Sequence, residues 1–197
     1  MIIHSNVKNK KTNKNLNKGF TLIELVVSIA MVTILSTVVL KISRFSDTHK
    51  SLTLARDEVR VAVRMAQNSS LSIPNPEQKH ICGYGLYIED NKTYNVFYTY
   101  ISDSDFSDNP NTCQEEASYR SFNLVDSAQV AEISSRKLGD ALIFTSHIGE
   151  SIFFRVPYSE LFGDNGELLA FDFVIDIQNT NVGATKSVTI NNVGKIE

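Results

Sequence analysis

The chain has 197 residues, 42% of them hydrophobic and 21% charged, which leaves room for one globular domain of ordinary size and a non-globular segment. The net charge of −3 is divided unevenly, because residues 1–19 hold five lysines and no acid, whereas the chain from residue 45 onward holds 12 basic and 21 acidic residues. The excess of acidic residues beyond residue 45 argues against a nucleic-acid-binding domain, which needs a basic surface.

Residues 20–40 form an apolar run, FTLIELVVSIAMVTILSTVVL, in which Glu24 is the one charged residue. At about 1.5 Å per residue a helix of this length spans about 30 Å, the thickness of a bilayer core. The run is longer than the core of a secretory signal peptide, and no small-residue cleavage pattern follows it. Two interpretations remain: a plain signal anchor whose basic leader stays in the cytoplasm, and an anchor that is cleaved before the apolar run, at Gly19.

Glu24 distinguishes these two interpretations. A carboxylate in a membrane helix costs about 2–3 kcal/mol at mid-bilayer and less near the interface, and a plain anchor gains nothing from it. Cleavage after Gly19 would give Phe20 a free amino group, and such an amine on a neighbouring subunit could neutralise the carboxylate and fix the stagger between helices. The simpler alternative is an interfacial acid that snorkels. In the cleavage interpretation, Glu24 has no cationic partner before the cut.

The segment Lys18-Gly19-Phe20-Thr21-Leu22-Ile23-Glu24-Leu25 resembles the class III signal of type IV prepilins and type II secretion pseudopilins. It has the basic leader, the glycine before the cut, the phenylalanine after it and the acid at the fifth mature position. The resemblance implies that a prepilin peptidase cleaves between Gly19 and Phe20 and methylates the new amino terminus at Phe20. It also implies other pilin or pseudopilin subunits, an inner-membrane assembly platform and membrane lipid as partners.

Neither glycine nor proline interrupts residues 20–73, so one helix is predicted from Phe20 to about Ser70. Many relatives carry a proline near the end of the membrane segment, and the kink attributed to it is not expected here. Pro74 and Pro76 should end the helix. Beyond residue 40 the apolar positions fall on one helical stripe, which consists of Leu52, Ala55, Val59, Ala62, Val63 and Ala66.

Three arginines, Arg56, Arg60 and Arg64, recur every four residues on the same helix and should share a face. Two interpretations stay open for them. In the first, they form a solvated face that an ion pair between Asp57 and Arg60 stabilises locally. In the second, they contact acidic groups of adjacent subunits, or phosphates. The solvated face is the simpler of the two.

The chain beyond the prolines is typical of short antiparallel strands separated by turns. Strands are predicted over 85–89, 93–101, 142–145, 151–156, 169–177 and 187–190, and a short helix over 127–137. Asp90-Asn91 should form the turn of a hairpin between the first two strands, and 191–194 should form a turn near the end of the chain. The segment from Cys82 to Tyr87 leading into this hairpin loosely resembles the H-type minor pseudopilins and their type IV pilus relatives.

A long helix followed by short strands predicts an α+β fold, in which the helix packs against an antiparallel headgroup sheet as in pilins. We expect four parts: a basic leader over 1–19 that is removed, a membrane and assembly half of the helix over 20–40, its soluble half over 41–73, and a β-rich headgroup over 74–197.

The two cysteines, Cys82 and Cys113, favour one disulfide if the domain is exported. The bond would close a 32-residue loop and stabilise the fold by about 3–4 kcal/mol on the chain-entropy model. Two unrelated buried thiols are the alternative. A zinc site that includes His80 would need more ligands than the neighbourhood offers.

Motifs for catalysis are absent from the sequence: it has no G-x-S-x-G, no phosphate-binding glycine loop and no H-E-x-x-H. Asp103, Asp105 and Asp108 do not have the spacing of an EF-hand loop and are interpreted as a polar loop. No enzyme, cofactor or metal is therefore expected.

The sequence thus predicts a structural subunit, of the minor kind, in a type IV pilus or type II secretion pseudopilus. It should lie in the bacterial inner membrane as a single-pass protein with its N-terminus cytoplasmic and its headgroup outside, and then in the filament. The alternative is a DNA-binding minor pilin of a DNA-uptake pilus, which the acidic body disfavours.

Overall fold

A computed structural model describes residues 20–72, 79–109, 111–125 and 129–197, without the side chains of 41–46. The leader with Gly19, and the predicted helix breakers Pro74 and Pro76, lie outside the described residues. The chain divides into two compact units, Met1–Arg44 and Phe45–Glu197.

The predicted long helix is confirmed as α1, Leu22–Ser72. Within the first unit its residues Leu22–Leu40 are long and apolar enough to cross a membrane. This stretch contains four hydroxyl side chains, and each donates a hydrogen bond of 2.7–2.8 Å to a backbone carbonyl three or four residues earlier. The donors are Ser28, Thr33, Ser36 and Thr37. These bonds satisfy polar groups that would otherwise be costly in lipid.

In the second unit, the described residues form eight strands in two antiparallel sheets. The strands are β1 (His80–Ile88), β2 (Thr93–Ile101), β3 (Val130–Lys137), β4 (Leu142–Phe144), β5 (Ser151–Arg155), β6 (Glu160–Phe162), β7 (Phe173–Asn179) and β8 (Thr185–Ile190). One sheet has the order β3-β2-β1-β5-β6 and the other β4-β7-β8. Between β2 and β3 lie α2 (Asp103–Asp108), α3 (Thr112–Glu115) and a 3-10 turn (Ala117–Arg120). The α+β fold is therefore confirmed.

Two hydrophobic clusters cover the two faces of the five-stranded sheet. The first contains the predicted stripe of α1, all six members of which are buried, and residues of both sheets. The second contains Phe97 and Phe153 and is covered by the segment with the short helices, including Tyr119 and Val125. Because side chains alternate along a strand, Val96 belongs to the first cluster and Phe97 to the second. The central strands are buried on both sides.

Several sequence predictions need correction. The helix predicted over 127–137 is wrong from Val130 onward, because Val130–Lys137 is β3 and pairs with β2. Pairing with a neighbouring strand outweighs the weak local preference for helix. The strand predicted over 169–177 begins only at Phe173. The short strand β6 and the three short helical segments were not predicted.

The disulfide is present and joins Cys82 of β1 to Cys113 of α3, with 5.1 Å between the two Cα atoms. It ties the segment with the short helices to the centre of the five-stranded sheet. Both thiols are used in this bond, so the interpretations as separate thiols and as a zinc site are wrong.

Candidate functional site: the start of the apolar helix

The start of α1 is built by Thr21 and Glu24. Thr21 lies immediately before the first helical residue, and its backbone N–H donates to Glu24 Oε2 over 2.9 Å. Its hydroxyl donates to the same oxygen over 2.9 Å, and the backbone N–H of Glu24 lies 3.3 Å from Thr21 Oγ1. This reciprocal arrangement is a capping box, in which side chains satisfy amides that the first helical turn leaves without partners.

Glu24 therefore accepts hydrogen bonds from Thr21 in the uncleaved chain, whereas the absence of a cationic partner before the cut stays a prediction. The signal was in the sequence, because Thr-x-x-Glu before an apolar run is the pattern of a capping box. Both bonds from Thr21 end on Oε2. Within the described part of the chain, Oε1 accepts no hydrogen bond and is available to another donor.

Phe20 directly precedes the capping box and is 82% exposed. A carboxylate in the first turn of a helix is stabilised by the partial positive charge of the helix N-terminus. The structure thus brings Phe20, Thr21 and Glu24 together at one helix end. Gly19, the other predicted cleavage residue, lies outside the described residues.

The three predicted arginines have different surroundings. Arg56 pairs with Asp57, with Nη2 and Oδ1 2.7 Å apart, and not with a residue one turn away. Arg60 donates from Nη2 to the backbone carbonyl of Ile196 over 3.3 Å. Arg64 is exposed, and no ion pair joins it to any residue that the structure describes. The predicted pair between Asp57 and Arg60 is not formed as a direct contact.

The described residues contain no group of three or more histidine, cysteine, aspartate or glutamate side chains that could hold a metal ion. Asp105, one of the three loop aspartates, accepts from the hydroxyl of its cap residue Ser102 over 2.8 Å. Asp103 lies 3.5 Å from His80 Nε2. All three aspartates belong to α2, so the interpretation as a polar loop is wrong, and Asp103 and Asp105 have the local partners given above.

Comparison with known proteins gives one match. The family model of the prokaryotic N-terminal methylation motif matches residues 14–40. This range contains the lysine-rich end of the leader, the capping box and the apolar part of α1. No curated protein and no solved structure shows a significant match to the chain.

Proposed function

We propose that this chain, which carries the N-terminal methylation motif of prepilin-type substrates, is a structural subunit of a type IV pilus or a type II secretion pseudopilus. One observation carries the proposal. The methylation motif over 14–40 coincides with a helix of membrane-spanning length that starts at Leu22 with an acidic residue in its first turn. A plain membrane anchor needs the helix but neither the motif nor the acid.

A prepilin peptidase would cut between Gly19 and Phe20 and methylate the amino group that the cut creates. The new amine would lie directly before the capping box. Thr21 holds Oε2 of Glu24, so Oε1 can receive the amine of a neighbouring subunit. A charged pair of this kind, formed away from water, favours one stagger between packed helices over others.

The partners that follow from this function are the prepilin peptidase, other pilin or pseudopilin subunits, an assembly platform in the inner membrane, and membrane lipid. Before assembly, the N-terminus would be cytoplasmic and the headgroup would lie on the opposite side of the membrane. The lysines of the leader support this orientation through the positive-inside preference. The minor status of the subunit stays a prediction, which a count of its copies per filament would check.

Processing is tested by mass spectrometry of the full chain isolated from membranes, with and without a prepilin peptidase. With the peptidase, we expect the mass of a chain that begins at a methylated Phe20. Without it, the chain should retain its leader. A chain that still begins at Met1 in the presence of an active peptidase would contradict the proposed function.

Glu24→Val tests the role of the carboxylate in assembly after cleavage. This variant should insert and be cleaved normally, because it makes the segment more apolar, but it should not assemble, because the amine has lost its carboxylate. Thr33→Val is the matched control, since it also removes a polar group from the same helix but leaves Glu24 in place. Normal assembly of Glu24→Val would refute the role of the carboxylate and leave the cleavage site standing.

A further inference from the structure

The headgroup has an apolar patch that is exposed among the residues that the structure describes. We call it the apolar patch and define it by Tyr158, Leu168, Phe171 and Val193, which are 66–83% exposed. Two surface clefts, of about 410 and 250 Å³, share Leu168 in their linings. Phe171 lines the first cleft, and Tyr158 and Val193 line the second. The two clefts therefore adjoin at Leu168, which places the four exposed apolar side chains in one region of the surface, a feature that often marks a site of protein contact.

The surroundings of this patch are acidic. The larger cleft is lined by four carboxylates and by no lysine or arginine; they belong to Glu150, Asp164, Glu167 and Asp172. Asp164 Oδ1 accepts from the backbone and hydroxyl of Ser151 over 3.0 and 2.9 Å, and Glu150 pairs with His147 over 2.6 Å. Asp164 and Glu150 thus have partners within the fold. Glu167 accepts from the Asn165 side-chain amide over 3.0 Å but has no cationic partner among the described residues, and Glu167 and Asp172 both lie on the exposed rim.

A second surface of the headgroup is also apolar but carries a basic residue in place of acidic ones. Leu54, Val61 and Met65 lie on the side of α1 opposite its buried stripe, and they are 69%, 64% and 39% exposed. Arg64 stands beside Val61 on the same surface. We call these four residues the outer face of α1.

The acids near the outer face of α1 are already paired. Asp57 pairs with Arg56, and Glu58 accepts from Arg136 over 3.0 Å. Arg64 therefore gives this apolar surface a positive charge that no described residue neutralises. An acidic apolar surface and a basic apolar surface occur on the same chain.

We propose that the apolar patch of one subunit docks on the outer face of α1 of a second copy, with Arg64 facing the carboxylates of Glu167 and Asp172. This inference rests on the proposed function and names a headgroup contact of the filament. Pairing the patch with itself would bring like charges together, which disfavours a symmetric dimer. Because two different surfaces meet, the contact is heterologous and can repeat without closing, as a filament requires.

Crosslinking of the full chain in membranes tests the proposal. The variant with both Val61→Cys and Phe171→Cys, treated with a short bismaleimide, should give a ladder of covalent oligomers. Each single variant should stay monomeric, because two identical surfaces do not meet. Val182→Cys combined with Val61→Cys is the matched control: Val182 is 46% exposed but lines neither cleft, and this pair should give no ladder.

Charge reversal tests the specificity of the contact. Arg64→Glu in the double-cysteine chain should reduce the ladder by roughly tenfold or more, since like charges at an interface are strongly unfavourable. Adding Glu167→Arg should restore it. Lys137→Glu is the control, because this exposed residue of β3 lies in neither surface, and it should leave the ladder unchanged.

The outcomes separate this inference from the proposed function. A chain that is processed and assembled but gives no ladder overturns the inference and leaves the proposed function standing. A ladder from a chain that is never processed supports the contact and overturns the proposed function. If either single-cysteine variant forms dimers, or if the only crosslinked product contains a different protein, the patch does not dock on the outer face of a second copy and the inference is overturned.

Discussion

At the scale of residues, the contacts between Thr21 and Glu24 stabilise both the first helical turn and the carboxylate. The first turn of a helix has amide groups without partners, and a carboxylate near lipid is costly without hydrogen bonds. Thr21 donates twice to Glu24 Oε2 and offers its own oxygen to the Glu24 amide. The acid is thereby held at the end of the helix with its other oxygen free for a neighbour.

Thr21→Val should loosen the first turn of α1, because valine has a similar shape but no oxygen to accept from the Glu24 amide. A lost N-cap costs about 1 kcal/mol, so the Glu24 amide should exchange its hydrogen roughly fivefold faster. Hydrogen exchange of the full chain in detergent micelles measures this rate.

Thr33→Val is the control for that measurement, since the Thr33 hydroxyl only donates to the Ile29 carbonyl within the helix. Equal exchange of the Glu24 amide in Thr21→Val and in the unaltered chain would show that the capping box does not stabilise the turn. Thr21→Ser should behave like the unaltered chain.

At the scale of elements, β1 depends on two glycines. Gly85 pairs with Phe97 on β2 and with Phe153 on β5. A Cβ atom at Gly85 would lie 2.5 Å from Phe97 Cζ and 2.6 Å from the Ile152 carbonyl oxygen, and one at Gly83 would meet the Phe153 ring and the Phe154 carbonyl. The aromatic rings occupy the space above the strand that side chains would otherwise fill.

Gly85→Ala should therefore destabilise the headgroup. Overpacking of a well-filled core costs about 1–3 kcal/mol, which outweighs the gain of roughly 0.5–1 kcal/mol from replacing a glycine within a strand. The free energy of unfolding of the full chain, from chemical denaturation in detergent, measures the difference. Gly139→Ala is the control, because its nearest neighbour would be Leu142 Cδ1 at 3.9 Å; equal stability of the two variants would contradict the packing explanation.

At the scale of the whole headgroup, the disulfide belongs to one of two clusters. Cys82 and Cys113 lie with the second cluster, under the segment with the short helices. The first cluster, between α1 and the two sheets, contains no cysteine. The covalent bond thus supports the face of the sheet that the long helix does not cover.

Cys82→Ser combined with Cys113→Ser should loosen that segment far more than the rest of the headgroup. The bond closes a loop over a sequence separation of 31, for which the chain-entropy model gives about 3–4 kcal/mol. Limited proteolysis should cut the double variant within residues 103–125 first, and β7 and β8 should keep their protected amides. If amides in both hydrophobic clusters lost their protection from exchange together, the disulfide would not support the second cluster selectively.

Much of the fold could be predicted because it depends on local patterns. The absence of glycine and proline over residues 20–73 predicts α1, and the spacing from Leu52 to Ala66 predicts its buried face. Val130–Lys137 could not be assigned, because its strand exists only through pairing with β2.

At the candidate site, the sequence predicts the motif over 14–40. The hydrogen bonds that Glu24 receives from Thr21 are not among the sequence predictions, although the Thr-x-x-Glu pattern indicates them. The apolar patch could not be predicted, since its members become neighbours only through folding.

The glycines of β1 also constrain how the sequence can change over evolutionary time. Gly85 and the Phe97 ring share one volume, and Gly83 and the Phe153 ring share another, so a mutation at one member of a pair alters what is acceptable at the other. A methyl group at Gly85 needs both a smaller residue at position 97 and a shift of the Ile152 carbonyl, and a smaller residue at position 97 alone leaves a void. The two members of each pair therefore change together, and the order in which they mutate decides which descendants still fold.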